Sequence, residues 1–179
     1  MEILAVGIVV AKENSKRFPG KNIYPYKGVP LFWHSVRALV ESKYVDEVYV
    51  ATNSHEIIDY CAKKNIKTIW RGPNVIEDEE PLLSVLKYSY QTLPKKYDHI
   101  VTIMANCPNH NSDEVDEALV MIKTDGFNEI RGFDTSGAET GLLVFKSEVI
   151  MNYHQISSHI GIIKSSGKEI HYLEDFEAI

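Results

Sequence analysis

The side chains best suited to chemistry form a basic cluster near the start of the chain. Four cations fall within ten residues, on Lys12, Lys16, Arg17 and Lys21. Ser15 and Asn22 add neutral hydrogen-bonding groups to the same stretch. A triphosphate needs several ammonium or guanidinium groups, together with backbone N–H donors, to replace its hydration. The composition alone therefore fits either a polyphosphate-binding loop or a solvated basic turn.

The position of this cluster favours ligand binding. It matches neither Gly-x-x-x-x-Gly-Lys-Ser/Thr nor Gly-x-Gly-x-x-Gly. However, it directly follows residues 3–11, a continuous apolar run typical of a strand that is buried on both faces of a parallel sheet. In open α/β sheets, ligands bind beyond the carboxyl ends of such strands.

Strands and helices alternate along most of the chain. Strands are predicted at 3–11, 47–52, 67–70 and 99–104, and helices at 30–40, 54–64, 81–92 and 112–123. This alternation predicts a doubly wound α/β/α sandwich of three layers around a mostly parallel sheet. The last third is less regular, with short strands predicted at 141–145, 161–164 and 168–172 and a terminal helix at 173–178.

Polar residues follow each of the four main predicted strands. They begin at Lys12, at Asn53, at Arg71 and at Asn106. Because the carboxyl ends of parallel strands share one edge of the sheet, we expect these four positions to meet at a single crevice.

Bulk properties narrow the class of protein. A length of 179 residues predicts one domain over 1–179. The net charge of −6 argues against a nucleic-acid partner, and the absence of a long apolar stretch argues against a membrane span. The only cysteines, Cys61 and Cys107, are expected to be reduced thiols in a cytoplasmic protein. Cys107 is predicted to be structural or to line a pocket.

The basic loop resembles the signature of the acylneuraminate cytidylyltransferases, the family that makes CMP-sialic acids. The resemblance rests on the pattern Ala-Lys-x-Asn-Ser-Lys-x-x-Pro-x-Lys-Asn over residues 11–22, where the family usually has Arg at the position of Lys12. Residues 22–31, 48–53 and 70–73 resemble further family segments in order and spacing. The resemblance implies a Rossmann-like sheet of the nucleotide-diphospho-sugar transferase type.

The resemblance also implies roles for individual residues. The residues placed against the phosphates and ribose of CTP are Ala11, Lys12, Asn14, Ser15, Lys21 and Asn22. Lys21 and Lys12 would be the catalytic cations, with Lys21 stabilising charge at the α-phosphate. Arg71 would bind the cytosine base and Asn106 a ribose or sugar carboxylate. Mg²⁺ would be the cofactor, with Glu169 as its ligand. The acceptor would be a small acidic sugar or a phosphorylated molecule.

Several positions depart from the family pattern. Asn53 stands in place of Asp and Met104 in place of Gln, while Glu169-Ile170-His171 falls where the family has Asp-Ile-Asp. The family's dimerisation insert is largely missing around residues 126–140, so a homodimer is left open. Two alternatives therefore remain: a non-catalytic relative that binds a nucleotide or a protein, and a nucleotidyltransferase that uses another base.

Overall fold

A computed structural model describes residues 2–13, 15–72, 80–152 and 159–177. Its elements follow the order β1 (Ala5–Val10), β2 (Pro25–Tyr26), β3 (Val29–Pro30), α1 (Leu31–Val40), β4 (Glu47–Thr52), α2 (His55–Lys63), β5 (Lys67–Trp70), α3 (Leu82–Thr92), β6 (His99–Ile103), α4 (Ser112–Asp125), β7 (Glu129–Phe133), β8 (Glu139–Lys146), α5 (Ser147–Met151) and β9 (Ile160–Lys164). Two 3-10 turns span Lys21–Ile23 and Leu173–Glu177.

The central sheet has seven strands in the order β5-β4-β1-β6-β8-β7-β9. Strands β5, β4, β1 and β6 pair in parallel. Strand β8 runs antiparallel to both of its neighbours, β6 and β7, and β9 pairs in parallel with β7. The mostly parallel sheet predicted from the sequence is confirmed, and β8 is its reversed strand.

Two hydrophobic cores cover the two faces of the sheet. One packs α1, α2 and α4 against it, through residues such as Leu39, Ile57 and Leu119. The other packs α3 and α5 against the opposite face, through Leu86 and Ile150. Strand β1 contributes alternate side chains to each core, which explains why its sequence is apolar throughout. The three-layer arrangement is therefore confirmed.

Local signals in the sequence set the ends of the helices. Helix α1 begins directly after Pro30, and the Ser54 side chain caps α2 by accepting a hydrogen bond from Ile57 N. Asn111 caps α4, which ends at Gly126 in the left-handed conformation. Among the described residues, no helix has both the length and the apolar character that crossing a membrane would require.

The sequence-based prediction fails mainly in the last third of the chain. Residues 168–172 do not form the predicted strand: Ile170 N donates instead to Asn106 O, in the loop after β6. The predicted terminal helix is a 3-10 turn over its described part. Strand β7 and helix α5 were not predicted.

Gly141 shapes the turn that follows β6. It lies in β8 with φ of +82°, and its carbonyl accepts a hydrogen bond from Met104 N at 3.0 Å. A Cβ atom at this position would lie 2.7 Å from Cys107 Sγ and 3.1 Å from Met104 Cβ. Glycine is therefore required both by the backbone angle and by the close approach of this turn.

We expect Gly141→Ala to destabilise the protein by about 1–3 kcal/mol, because alanine at this φ is strained and its methyl group meets Cys107. Urea denaturation measures the loss. Gly137→Ala is the matched control: its φ is +85°, but an added Cβ would meet nothing within 4 Å. Equal losses in the two variants would contradict the steric part of this explanation.

Candidate functional site

The carboxyl ends of β1, β5 and β6 open onto a cavity of about 320 Å³. Its lining includes seven of the residues predicted from the sequence: Lys12, Ser15, Lys21, Asn22, Arg71, Asn106 and Glu169. Ala11 is fully buried at the end of β1 and does not line the cavity. Asn14 lies outside the described residues. Of the four positions predicted to meet at one crevice, Lys12, Arg71 and Asn106 do so, whereas Asn53 after β4 does not line the cavity.

Neutral amides hold the basic loop in shape. Asn22 Nδ2 donates to the carbonyl oxygen of Lys12, ten residues earlier, at 2.8 Å. The backbone N–H of Glu13 donates to Asn53 Oδ1 at 2.8 Å. Gly20 adopts a left-handed conformation just before the 3-10 turn that carries Lys21. These bonds fix the loop without adding further charge to it.

Lys21 is a half-buried cation of the basic loop. Its Nζ donates to the carbonyl oxygen of Ile170 at 2.9 Å. Burial lowers the pKa of the Lys21 ammonium, and the neighbouring Glu169 carboxylate opposes this shift. Lys21 is thus oriented by the last described segment of the chain before any ligand binds.

Arg71 forms another wall of the cavity. Its side chain is almost fully buried, and its backbone N–H donates to Thr52 O at the end of β4. Leu82 and Val85 of α3 line the same cavity. A guanidinium next to apolar side chains suits a flat heterocycle with carbonyl and ring-nitrogen acceptors, because the apolar groups contact its faces while the guanidinium donates to its edge.

Asn106 lines the cavity but also makes hydrogen bonds within the protein. Its Nδ2 lies 3.0 Å from Ile170 O and 3.2 Å from Glu169 Oε1. Its role as a direct ligand contact stays a prediction, and its visible role is to hold the segment around Ile170 against the site.

Glu169 and His171 share one side of the extended segment, although this segment is not the predicted strand. Glu169 Oε2 lies 3.0 Å from His171 Nε2. His171 Nδ1 lies 3.1 Å from Arg17 Nη1. Both residues line the cavity together with Arg17.

Sequence reasoning did not assign site roles to several lining residues. Arg17 was visible as a loop cation, but its contact with His171 spans 154 positions and left no local signal. Thr102 lines the cavity from β6, and its buried hydroxyl has no hydrogen-bond partner among the described residues. It was hidden within an apolar strand, where a single Thr is unremarkable.

Cys107 is structural, as expected. Its side chain is fully buried, and burial strongly raises the pKa of the thiol. Cys61 is also a free, buried thiol, and burial raises its pKa to about 11. A thiol nucleophile requires the opposite shift, so neither side chain is suited to attack a substrate.

A second cavity, of about 360 Å³, lies at the opposite edge of the sheet. Its charged lining is mixed, with Asp98 and Glu148 beside Lys123 and Lys146. Lys146 Nζ already donates to the carbonyl oxygen of Gly126. This cavity lacks the excess of cations found at the carboxyl edge, and so the latter is the candidate site.

Known proteins of related sequence include two cytidylyltransferases. The chain is 34% identical over 124 residues to the N-acylneuraminate cytidylyltransferase of Oncorhynchus mykiss, covering 69% of this chain and 28% of that protein. It is 30% identical over 115 residues to the pseudaminic acid cytidylyltransferase of Campylobacter jejuni, covering 62% of this chain and 50% of that protein. The chain thus spans half or less of the length of these two relatives.

Solved structures confirm the fold. A CMP:2-keto-3-deoxy-manno-octonic acid synthetase complexed with CTP superposes with a TM-score of 0.81 at 15% identity, covering 98% of this chain and 96% of that chain. Rv0371c from Mycobacterium tuberculosis superposes with a TM-score of 0.79 at 11% identity, covering 99% of this chain and 97% of that chain. The complex of Rv0371c with manganese superposes with a TM-score of 0.74 at 12% identity, covering 98% of this chain and 97% of that chain.

A family model described as cytidylyltransferase matches residues 6–155. Because this match spans well over half of the sequence and includes the basic loop, Arg71 and Asn106, the chain belongs to the cytidylyltransferase family.

Proposed function

We propose that this protein transfers CMP from CTP to a small acidic sugar or a related acceptor and releases pyrophosphate. The observation that carries the proposal is the meeting of Lys12, Lys21 and Arg71 in one cavity at the carboxyl edge of the sheet. The related CMP-sugar synthases support CTP as the donor and an acidic sugar as the acceptor. A phosphorylated acceptor is compatible with the same chemistry.

In this proposal, the basic loop binds the phosphates and Arg71 binds the base. Lys12, Ser15, Lys21 and Asn22 lie against the triphosphate and ribose. An acceptor oxygen forms a bond to the α-phosphorus, while the bond from that phosphorus to the bridging oxygen of pyrophosphate breaks. Lys21 stabilises the charge that develops at the α-phosphate, and Lys12 assists it. Catalysis then depends on positioning and charge, since no nucleophilic side chain is needed.

Mg²⁺ enters the proposal as the counter-ion that CTP brings, because the protein residues fit this ion poorly. Mg²⁺ prefers an octahedron of oxygen ligands, mostly carboxylates, phosphates and water. Glu169 is the predicted ligand, but both of its carboxylate oxygens already face nitrogen donors, on Asn106 and His171. Among the described residues, no three His, Cys, Asp or Glu side chains could hold a metal together. The described residues therefore do not form a metal site of their own.

A second candidate function is nucleotide binding without transfer. Two observations favour it. The Glu169 carboxylate is already engaged by Asn106 and His171, and the side-chain amide of Asn53 binds the loop backbone at Glu13. Release of pyrophosphate from CTP, tested against a panel of acidic sugars and phosphorylated acceptors, separates the two candidates. Binding of CTP without release under any of these conditions favours the second.

The oligomeric state and the location of the protein are also proposals. The two buried, free thiols support a reducing compartment such as the cytoplasm. A homodimer is compatible with the proposed function, as most soluble oligomers of this kind are symmetric dimers.

Lys21 is the residue proposed to stabilise the charge at the α-phosphate. We expect Lys21→Ala to reduce CTP-dependent pyrophosphate release by roughly 100-fold or more, because it removes the cation closest to the developing charge. The melting temperature should change little, since the side chain is only half buried. Lys95→Ala is the control, because Lys95 is exposed beyond the cavity and lies over the Tyr97 ring. Release within threefold of wild type in the Lys21 variant would refute its role.

Arg71 is the residue proposed to recognise the base. Arg71→Lys keeps the charge but loses the planar set of donors, so we expect the preference for CTP over UTP to fall by about tenfold. Calorimetric titration with each nucleotide measures the preference. Lys21→Ala should weaken both nucleotides equally, because phosphates carry no base identity. An unchanged preference in the Arg71 variant would show that the base is recognised elsewhere.

A further inference from the structure

A line of three side chains closes one side of the cavity. Arg17 Nη1 lies 3.1 Å from His171 Nδ1, and His171 Nε2 lies 3.0 Å from Glu169 Oε2. We refer to these residues as the Arg17–His171–Glu169 line. It joins the basic loop to the last described segment at the position where the resembling family has two aspartates.

The chemistry of arginine fixes the protons along this line. A guanidinium has only donors, so His171 Nδ1 must be the acceptor of the Arg17 contact. The proton of the neutral imidazole then lies on Nε2 and is directed at Glu169 Oε2. His171 therefore donates to the carboxylate, and no lone pair of its ring is directed into the cavity.

In this arrangement, both ring nitrogens of His171 are already used, and neither is left to bind a metal ion. A metal-binding histidine uses one ring nitrogen as the ligand and donates the other N–H to a carboxylate, carbonyl or water. In this protein, the N–H likewise faces the carboxylate, but the lone pair of the other nitrogen accepts a hydrogen bond from Arg17 where a metal ion would lie. Lys21 also interacts with the charge of Glu169, and Arg17 contacts His171, so both cations repel a divalent ion there.

The balance of charge in the cavity also favours binding of phosphates over binding of a divalent ion by the protein. Four basic side chains line it, Lys12, Arg17, Lys21 and Arg71, against the carboxylates of Glu80 and Glu169. Arg17 uses one N–H on His171 and has four others. The remaining donors of this planar group suit paired hydrogen bonds to phosphate oxygens.

We infer that the described residues of this site neutralise the nucleotide triphosphate with side-chain cations rather than with a divalent ion held by the protein, and that the Arg17–His171–Glu169 line replaces a metal-ligand pair. The inference rests on the proposed function in that the ligand is CTP. It means that CTP binds to this protein with nearly the same affinity whether or not a divalent ion is present.

Calorimetric titration of CTP in EDTA and in Mg²⁺ tests the inference. For the wild type, we expect the two dissociation constants to agree within about fivefold, since the cations are already in place. For His171→Asp, which supplies a second carboxylate beside Glu169, we expect binding in EDTA to weaken and Mg²⁺ to restore it by more than about fivefold. His171→Asn is the matched control: it removes the imidazole without adding charge, and its ratio should stay below that limit.

Each result decides the question. The quantity compared is the dissociation constant for CTP in EDTA divided by that in Mg²⁺. A wild-type ratio of fivefold or more overturns the inference. A ratio for His171→Asp that is no larger than the wild-type ratio also overturns it. Titration with Mn²⁺ alone, followed by the EPR signal of the free ion, should show saturable binding to His171→Asp and none to the wild type. Saturable binding of Mn²⁺ to the wild type overturns the inference but leaves the proposed function intact. Failure of CTP to bind to the wild type in both buffers overturns the proposed function itself.

Discussion

The contact between the Lys21 ammonium and the carbonyl of Ile170 is the interaction on which the candidate site depends. It joins residues that are 149 positions apart, and it holds a cation half buried among other cations. A loop with this density of positive charge would otherwise open into solvent, because like charges repel and are better hydrated there. Neutral partners, the carbonyl of Ile170 and the amides of Asn22 and Asn53, hold the loop closed without cancelling the charge that a ligand would meet.

Aromatic packing supports the same contact from behind. Phe176, in the final 3-10 turn, packs against the rings of Phe18, Tyr24 and Tyr26, with centroid distances of 5.9, 4.9 and 5.8 Å. Asp175 adds polar anchoring, since its carboxylate accepts from the backbone N–H groups of His171 and Tyr172. These backbone bonds also lower the pKa of the Asp175 carboxyl. The last described segment is thus a structural part of the site rather than a tail beside it.

The sequence could predict those parts of the fold and site whose signal is local. The apolar run of β1 and the cap at Ser54 each left a readable pattern, and so did the spacing of the cations in the loop. Strand β7 left no such pattern, because Glu129, Arg131 and Gly132 interrupt its apolar residues. It is tolerated in the sheet because Arg131 pairs with Glu129 at 2.6 Å and with Glu139 of the neighbouring strand at 3.0 Å. Likewise, the partnership of Arg17 with His171 arises only when the two ends of the described chain meet.

The close approach of Gly141 to Cys107 has a consequence for the redox chemistry of the protein. The space beside Cys107 Sγ does not admit even one added carbon atom on Gly141. Addition of an oxygen atom to the sulfur, the first step of thiol oxidation, needs similar space and also a thiolate, which burial disfavours. Although Cys107 lies one residue from a cavity-lining side chain, peroxide should leave it unchanged, and the cavity should keep its shape in the absence of a reducing agent.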